Sequence, residues 1–241
     1  QAQFTRRLTK GFQALASYTW SHSIDNSSSD QAVSSGGYIF PQNVYRSDSS
    51  FDVRHNFSTA LTYVIPTPKW NKISSSVFGG WSLNGIFLAR TGLPFTVLFQ
   101  ESTPIGTFGN FRRPNLTGQP IYLNDTNVAT GRRLNPAAFN TALPIGQMGN
   151  LGRNSLRGPG FYQIDMGIHR TFNLNEKLNM QVRWEVFNVL NHSNFLYPTS
   201  VIGVAPFGVI TQTAARGFGG GSLSGGFNPL FQNGGPRSMQ F

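Results

Sequence analysis

The chain has 241 residues and carries 19 Lys and Arg against 9 Asp and Glu, which gives a formal net charge of +10. It contains no cysteine, which excludes disulfides and thiolate metal sites, and no apolar run of about eighteen residues, which excludes a transmembrane helix. Only 12% of the residues are charged, against about 25% in an average soluble domain. A surface that faces lipid would explain this scarcity of charge.

Alternation of apolar and polar residues predicts strands in the first part of the chain. A partial strand at about 2–9 leads through a tight Lys-Gly turn into a strand over 12–20, whose even positions are mostly apolar. A loop rich in Ser, Asn and Gly over 25–50 precedes a further strand over 51–65, which two prolines end. Strands therefore follow one another with a short connection and then a long one.

The same rhythm continues in the middle of the chain. A strand is predicted over 81–99, with a bend at Gly92 and Pro94. Its alternation is less regular, because Ile86 and Leu88 share a face with polar residues. The connection over 100–160 carries most of the prolines and no sustained periodicity. Loops of that length are typical of the extracellular side of membrane β-barrels.

The clearest alternation lies in the last third of the chain. Apolar residues occupy even positions both in a strand over 162–172 and in the stretch KLNMQVRWEVFN over 177–188. Directly opposed residues should therefore have an even index sum, which predicts a three-residue turn over 175–177. A low-complexity loop over 191–236 precedes a last short piece, 237–241.

Together these elements predict an all-β fold, an antiparallel transmembrane β-barrel wall of about seven strands with long extracellular loops. Aromatic residues fall where the two membrane interfaces would lie, with Tyr18 and Trp20 at one end and Tyr63, Trp70 and Trp81 at the other. An alternative is a secreted, soluble β-sandwich, either an adhesin or a carbohydrate-binding module. In a sandwich the apolar faces would meet each other, and strand-end aromatics would cap the core.

Six charged or titratable residues form the candidate polar network that faces the lumen. Asp52 and Arg54 share one face of a predicted strand, so an ion pair between them is expected. The other four belong to the last predicted hairpin and can make cross-strand contacts: Asp165, His169, Arg183 and Glu185. A structural lining of the lumen is the first interpretation of these residues, and a ligand or proton-relay site is the second.

Motifs of catalysis and cofactor binding are missing from the sequence. The four histidines have no metal-ligand spacing, and neither a G-x-S-x-G elbow nor a phosphate-binding glycine motif occurs. The chain is therefore expected to be neither an enzyme nor a holder of a metal or cofactor. An outer-membrane hydrolase would require His22, Asp25 and Asp48 to cluster at the outer strand ends. The basic residues are scattered through loops, so nucleic acid is not an expected partner.

Several phrases of the sequence resemble one family. FDVRHNF at 51–57, GGWSLNGIFLARTGLPFTV at 79–97, GNLGRNSLRGPGF at 149–161 and EVFNVLNHSNF at 185–195 are the main ones, with RPNL at 113–116 and NPAAF at 135–139 between them. They resemble the C-terminal barrel of Oar-like TonB-dependent outer-membrane receptors, known from acidobacteria and myxobacteria. The resemblance spans nearly the whole chain and keeps the family's order.

This resemblance implies a location in the bacterial outer membrane and a role in transport. In that family a plug and an N-terminal domain precede a barrel of about 22 strands, so residues 1–241 would be roughly the last seven strands, the final one cut short. The implied partners are outer-membrane lipid, the plug and the remaining strands, the TonB complex through the N-terminal region, and an unknown transported ligand. The loops 25–50, 100–160 and 191–236 would capture that ligand.

Overall fold

The computed structural model describes residues 1–28, 45–67, 78–100, 111–144, 146–175, 178–214 and 237–240. Seven strands of these parts carry the fold, and together they form what we call the wall sheet. Their bounds are β1 Ala2–Thr9, β2 Phe12–Trp20, β5 His55–Val64, β6 Trp81–Arg90, β15 Phe161–Asn175, β16 Leu178–Phe187 and β18 Ser238–Gln240.

The wall sheet is antiparallel throughout, and its spatial order, β1-β2-β5-β6-β15-β16-β18, is also the order along the chain. Each wall strand thus pairs only with the wall strands before and after it, as in an up-and-down barrel. The two outermost strands, β1 and β18, form the edges of the sheet. The predicted all-β, antiparallel wall of seven strands is confirmed.

Register aligns the apolar positions of all these strands on one face, which we call the apolar face. One row across the sheet joins Phe12, Tyr63, Leu83, Ile168 and Trp184. Large side chains of this face remain open, with Leu61 42% and Trp184 43% exposed. The opposite, polar face carries residues such as Gln13, Thr62 and Asn84 in a neighbouring row.

The shorter connections between wall strands lie at one end of the sheet, and the long connections lie at the other end. At one end, the turn end, Lys10 and Gly11 form a two-residue turn with φ values of 52° and 79°, the conformation of a type I′ hairpin. A Cβ atom added to Gly11 would lie 2.6 Å from the carbonyl oxygen of Val64. This position therefore requires glycine both because φ is positive and because the backbone of Val64 is too close. All three long connections lie at the opposite end, the loop end.

Two strand bounds differ clearly from the sequence prediction. The strand predicted over 51–65 begins only at His55, so Asp52 and Arg54 lie in the preceding loop. The strand predicted over 81–99 ends at Arg90, because at Gly92, where the bend was expected, the start of the following connection crosses the end of the same connection.

The last hairpin also differs in detail. Opposed residues have an even index sum from Met166↔Val186 to Asn173↔Asn179, as predicted, but the register then shifts and Asn175 pairs with Leu178. The turn predicted over 175–177 is therefore wrong, because Asn175 still belongs to the strand.

Aromatic residues mark both ends of the wall. Tyr18 and Trp20 lie at the loop end of β2, whereas Tyr63 and Trp81 lie at the turn end of β5 and β6. Trp70, the fifth aromatic residue expected in these belts, lies outside the described residues.

The long connections fold into a unit of their own, here called the loop cap. Its described residues form eleven short strands: β3 Ile24–Asp25, β4 Ser47–Asp48, β7 Pro94–Phe95, β8 Leu98–Gln100, β9 Phe111–Arg112, β10 Asn115–Leu116, β11 Tyr122–Asn124, β12 Arg132–Leu134, β13 Phe139–Asn140, β14 Leu156–Arg157 and β17 Val201–Ile202. They pair in small sheets, among them β14 with β7 and β17 with β8 and β9. A 3-10 turn spans Pro136–Ala138.

The loop cap has a hydrophobic core, built from Phe95, Val97, Leu134, Ala138, Phe139, Leu151 and Leu156. Phe207 packs edge-on against Phe139 with ring centroids 6.0 Å apart. Strands of two or three residues are too short to show a period of two, which is why the sequence over 100–160 looked unstructured. The part of the predicted 191–236 loop beyond residue 214 lies outside the described residues.

Candidate functional site

Charged side chains from two long connections, 21–54 and 91–160, meet where the loop cap joins the wall. Asp48 of β4, Asp52 and Arg54 just before β5, Arg157 of β14, and His22 just after β2 form what we call the ion-pair cluster. Asp52 is 1% exposed. A carboxylate at such depth requires both opposite charge and hydrogen bonds.

The guanidinium groups of Arg54 and Arg157 hold both carboxylates. Arg54 donates from Nε to Asp52 at 2.8 Å and from Nη2 to both oxygens of Asp48 at 3.0 Å. Arg157 donates from Nη2 to Asp48 at 2.7 Å and also to Asp52. The backbone N–H of Ser23 donates to the other Asp52 oxygen at 2.6 Å. The fork of donors on arginine suits such shared recognition, which a single ammonium group could not provide.

A second group of contacts adjoins the ion-pair cluster on the side of the loop cap. Arg153 pairs with the carboxylate of Asp25. Asn154 donates to the carbonyl oxygen of Asp48 at 2.7 Å and exchanges two hydrogen bonds with Thr96, at 2.8 and 3.0 Å. The connection between β2 and β5 is thereby joined to both the start and the end of the connection between β6 and β15.

The surroundings of these carboxylates favour their ionised form. Burial alone would raise the pKa of Asp48, but hydrogen bonds from His22, Arg54 and Arg157 outweigh it and lower the pKa from 3.8 to about 2. Burial is opposed in the same way at Asp52, by Ser23, Arg157 and Arg54, and its pKa is also lowered. These groups are held as fixed negative charges near neutral pH.

The three residues of the hydrolase hypothesis lie in this region. His22 Nε2 is 2.9 Å from an Asp48 oxygen and 2.8 Å from Arg54 Nη2. The third residue, Asp25, instead pairs with Arg153. The contacts described for the carboxylates of Asp25 and Asp48 are with donors that hold loops in place, as in a structural clamp.

The six predicted network residues fall into two separate places. Asp52 and Arg54 form the expected ion pair, but within the ion-pair cluster and not on a wall strand. The other four share the polar face of the wall: Asp165, His169, Arg183 and Glu185.

Contacts on the polar face are mostly local. His169 is paired in register with Arg183, and its Nδ1 lies 2.9 Å from the Asn84 amide nitrogen. Arg183 lies 3.4 Å from Glu185, which also accepts a hydrogen bond of 2.6 Å from Gln240.

Asp165 lies nearer the loop end and has different partners. It accepts hydrogen bonds from the Gln163 amide at 2.7 Å and from the backbone N–H of Asn188 at 2.8 Å. Gln163 and Asn188 are both buried, so Asp165 helps to anchor the start of the connection after β16.

Sequence reasoning missed the partners that complete the ion-pair cluster. Arg153 and Arg157 were noted only as scattered basic residues, although both lie in GNLGRNSLRGPGF. Arg157 is separated from Asp52 by 105 positions, and no periodicity connects them. Asp48 and Asp52 lie between Arg46 and Arg54 in the sequence, which indicated local pairing. It did not indicate that Arg157, from another connection, would also pair with both carboxylates.

Within the described residues, no helix has the length and apolar character needed to span a membrane. The same residues include no group of three or more His, Cys, Asp or Glu side chains that could hold a metal ion.

A sheet with one continuous apolar face, aromatic belts at both ends and all long loops on one side defines the wall of a membrane-spanning β-barrel. The family model for the outer membrane beta barrel domain matches residues 1–220, and the chain belongs to this family. It is a protein of the bacterial outer membrane. Comparisons with curated proteins and with solved structures gave no match.

The β-sandwich alternative is wrong. A sandwich buries the apolar faces of two packed sheets against each other, whereas the seven wall strands form one sheet whose apolar face stays open.

Proposed function

We propose that this chain supplies wall strands and ligand-facing loops of a TonB-dependent outer-membrane receptor of the Oar-like type, and that it transports rather than catalyses. One observation carries the proposal. FDVRHNF, at 51–57, and GNLGRNSLRGPGF, at 149–161, are two of the phrases that resemble this receptor family. They meet in space, because Asp52 and Arg54 come from the first and Arg157 from the second.

The loop cap supports a role in ligand capture. Its core and the ion-pair cluster hold the long loops in a defined shape. Loops fixed on a rigid scaffold are the usual place for binding residues, because little conformational entropy is lost when a ligand binds. The ligand itself is a molecule that reaches the cell surface and passes inward through the barrel.

The edges of the wall sheet support the presence of further strands. A barrel in a membrane leaves no strand edge unpaired, and the seven wall strands end in β1 and β18 at opposite edges. In the proposed receptor the remaining strands of the same barrel pair with these edges. A plug fills the lumen, and the TonB complex acts on a region outside the 241 residues.

Conductance of the purified full-length protein tests the plugged barrel. In planar bilayers bathed in potassium chloride, a plugged receptor should show almost no current, and urea should open it reversibly by loosening the plug. A simple porin would give stable open steps without urea, and that result would contradict the proposal.

Cross-linking in intact cells of the native host tests the energy-coupling part separately. The full-length protein should become linked to TonB and be recovered with it. If the protein shows almost no current in bilayers but is never cross-linked to TonB, the plugged barrel would still be supported. TonB dependence would then be refuted.

A further inference from the structure

We propose that Arg6 and Arg170 bind the phosphodiester groups of phospholipids in the periplasmic leaflet of the outer membrane. Both arginines lie on the apolar face of the wall, where Arg6 is opposite Ala14, and Arg170 lies between Trp81 and Val182. A charged residue facing the hydrocarbon is costly unless its charged group reaches the interface. The inference depends on the outer-membrane location, not on the proposed transport.

The height of Arg170 in the wall places it at the turn-end interface. It is opposite Trp81, the first residue of β6. From Tyr162 to Phe172 the strand advances about 34 Å, which at a tilt of about 40° gives about 26 Å of height. The apolar band of such barrels is about 25 Å tall. Phe172 therefore lies at the turn-end boundary of the hydrocarbon layer. Arg170, two residues before it on the same face, lies just inside that boundary.

The guanidinium of Arg170 is directed towards that boundary by aromatic rings. Its Cζ lies 4.3 Å from the centroid of Phe172 and 5.4 Å from that of Trp81. Phe172 is two residues nearer the turn than Arg170 itself. Stacking on aromatic faces orients a guanidinium, and its planar fork is suited to phosphate oxygens.

Arg6 repeats this arrangement four strands away. Its Cζ lies 5.2 Å above the ring of Phe12, the residue that follows the Lys10-Gly11 turn. Its neighbours on the same face are apolar and open, with Phe4 60% exposed. Two arginines of the wall thus reach along the apolar face to an aromatic ring at the turn end.

The ligand follows from charge and from orientation. Among its described strand residues, the apolar face contains these two arginines and neither Asp nor Glu, so its charge attracts anions. Short turns of outer-membrane barrels face the periplasm. The anions available at that level of a lipid-facing surface are phospholipid phosphates.

The sequence offers a matched control for each arginine. Arg7 follows Arg6 on the same strand and therefore points to the opposite face. Arg183 follows Val182, the partner of Arg170, and lies on the polar face at nearly the same height. Each pair has the same chemistry and nearly the same height but opposite faces of the wall.

Native mass spectrometry of the full-length protein tests the proposal, with phosphatidylglycerol as the probe and diacylglycerol of the same chains as the phosphate-free control. Arg6→Gln and Arg170→Gln should each weaken phosphatidylglycerol retention at one site about fivefold. Arg7→Gln and Arg183→Gln should leave it unchanged, and diacylglycerol should be retained weakly by all variants.

Equal losses in the test and control variants, or equal retention of the two lipids, would overturn the proposal. Folding of each variant is checked by its heat-dependent mobility in detergent gels. If Arg170→Gln does not fold, Arg170→Lys replaces it. The lysine keeps the charge, so phosphatidylglycerol should still be preferred over diacylglycerol, and loss of that preference would equally overturn the proposal.

Discussion

Individual carboxylates decide how firmly the loop cap is attached to the wall. Asp52 is almost completely buried and has two arginines and a backbone N–H as partners. Removing one partner of such a buried pair costs about 3–5 kcal/mol, because the remaining charge stays buried without compensation. Loss of one residue of the ion-pair cluster should therefore loosen both of the long connections that it joins.

Low pH should release the loop cap. The pKa values of Asp25, Asp48 and Asp52 are all below the ordinary value of 3.8, and that of Asp48 is about 2. Their stabilisation is complete above the ordinary value and is lost as the pH falls through the lowered one. Pepsin should therefore cut the cap of the full-length protein much faster at about pH 2 than at about pH 4.

The variant Asp48→Asn separates this effect from the pH dependence of the protease. Its side chain does not titrate, so cleavage should already be fast at the higher pH and should change less on acidification. If wild type and variant show the same pH profile, the ion-pair cluster does not control the cap.

A single glycine allows the start and the end of the connection between β6 and β15 to cross. A Cβ atom added at Gly92 would overlap the backbone carbonyl oxygens of Gly158 and Pro159, and backbone cannot move aside as a flexible side chain can. Gly92→Ala should therefore open the loop cap and make it sensitive to trypsin. Gly85→Ala is the control, because its nearest atom would be 4.0 Å away, and it should remain resistant. Equal resistance of both variants would show that the crossing is not tight.

At the scale of the strands, the register determines which residues of the wall face the lipid. Ala14, Leu61, Gly85 and Met166 form a row near the middle of the apolar face. The neighbouring row on the polar face includes Gln13, Thr62 and Asn84. A shift of any strand by one residue would exchange these rows.

Arginine placed on each face should measure this difference. Leu61→Arg puts a charge against hydrocarbon near the bilayer midplane and should lower the free energy of unfolding by about 2–4 kcal/mol. Thr62→Arg, one residue away on the polar face, should change it little. Denaturant unfolding of the full-length protein in lipid vesicles, followed by tryptophan fluorescence, gives both values. Similar losses would mean that the two faces are not distinguished by lipid.

The sequence predicted the wall strands because each has a face of constant character. Trp184 and its neighbours at even positions specify both strand and face without any tertiary information. The starts and ends were less predictable. Phe51 and Val53 continue the alternation of the strand that begins at His55, yet their backbone follows the ion-pair cluster. There the tertiary contacts of Asp52 outweigh the local pattern.

The candidate site was predictable only where its contacts are local. Asp52 and Arg54 are two residues apart, so their ion pair could be inferred. Arg157 arrives from a loop more than one hundred residues later, and a loop cap of very short strands has no periodicity that would place it. Long-range contacts between irregular segments leave no pattern in a single sequence.

At the scale of the whole molecule, the two ends of the wall face different compartments. Thr67 lies just after β5 at the turn end, and Asn127 lies in the loop cap. The 241 residues contain no cysteine, so single cysteines introduced there report on orientation. A membrane-impermeant maleimide should label Asn127→Cys on intact cells and Thr67→Cys only after the outer membrane is permeabilised. Labelling of Thr67→Cys on intact cells would reverse the orientation.

The pairing of each wall strand with its chain neighbours has an evolutionary consequence. A gene for such a wall can gain or lose a hairpin by local duplication or deletion, because the remaining strands keep their partners and the long loops stay on one side. The ion-pair cluster restricts this freedom, since it joins the connection between β2 and β5 to the connection between β6 and β15. Duplication of one hairpin alone would separate Asp52 from Arg157, so the smallest heritable module here is the set of hairpins that the cluster unites.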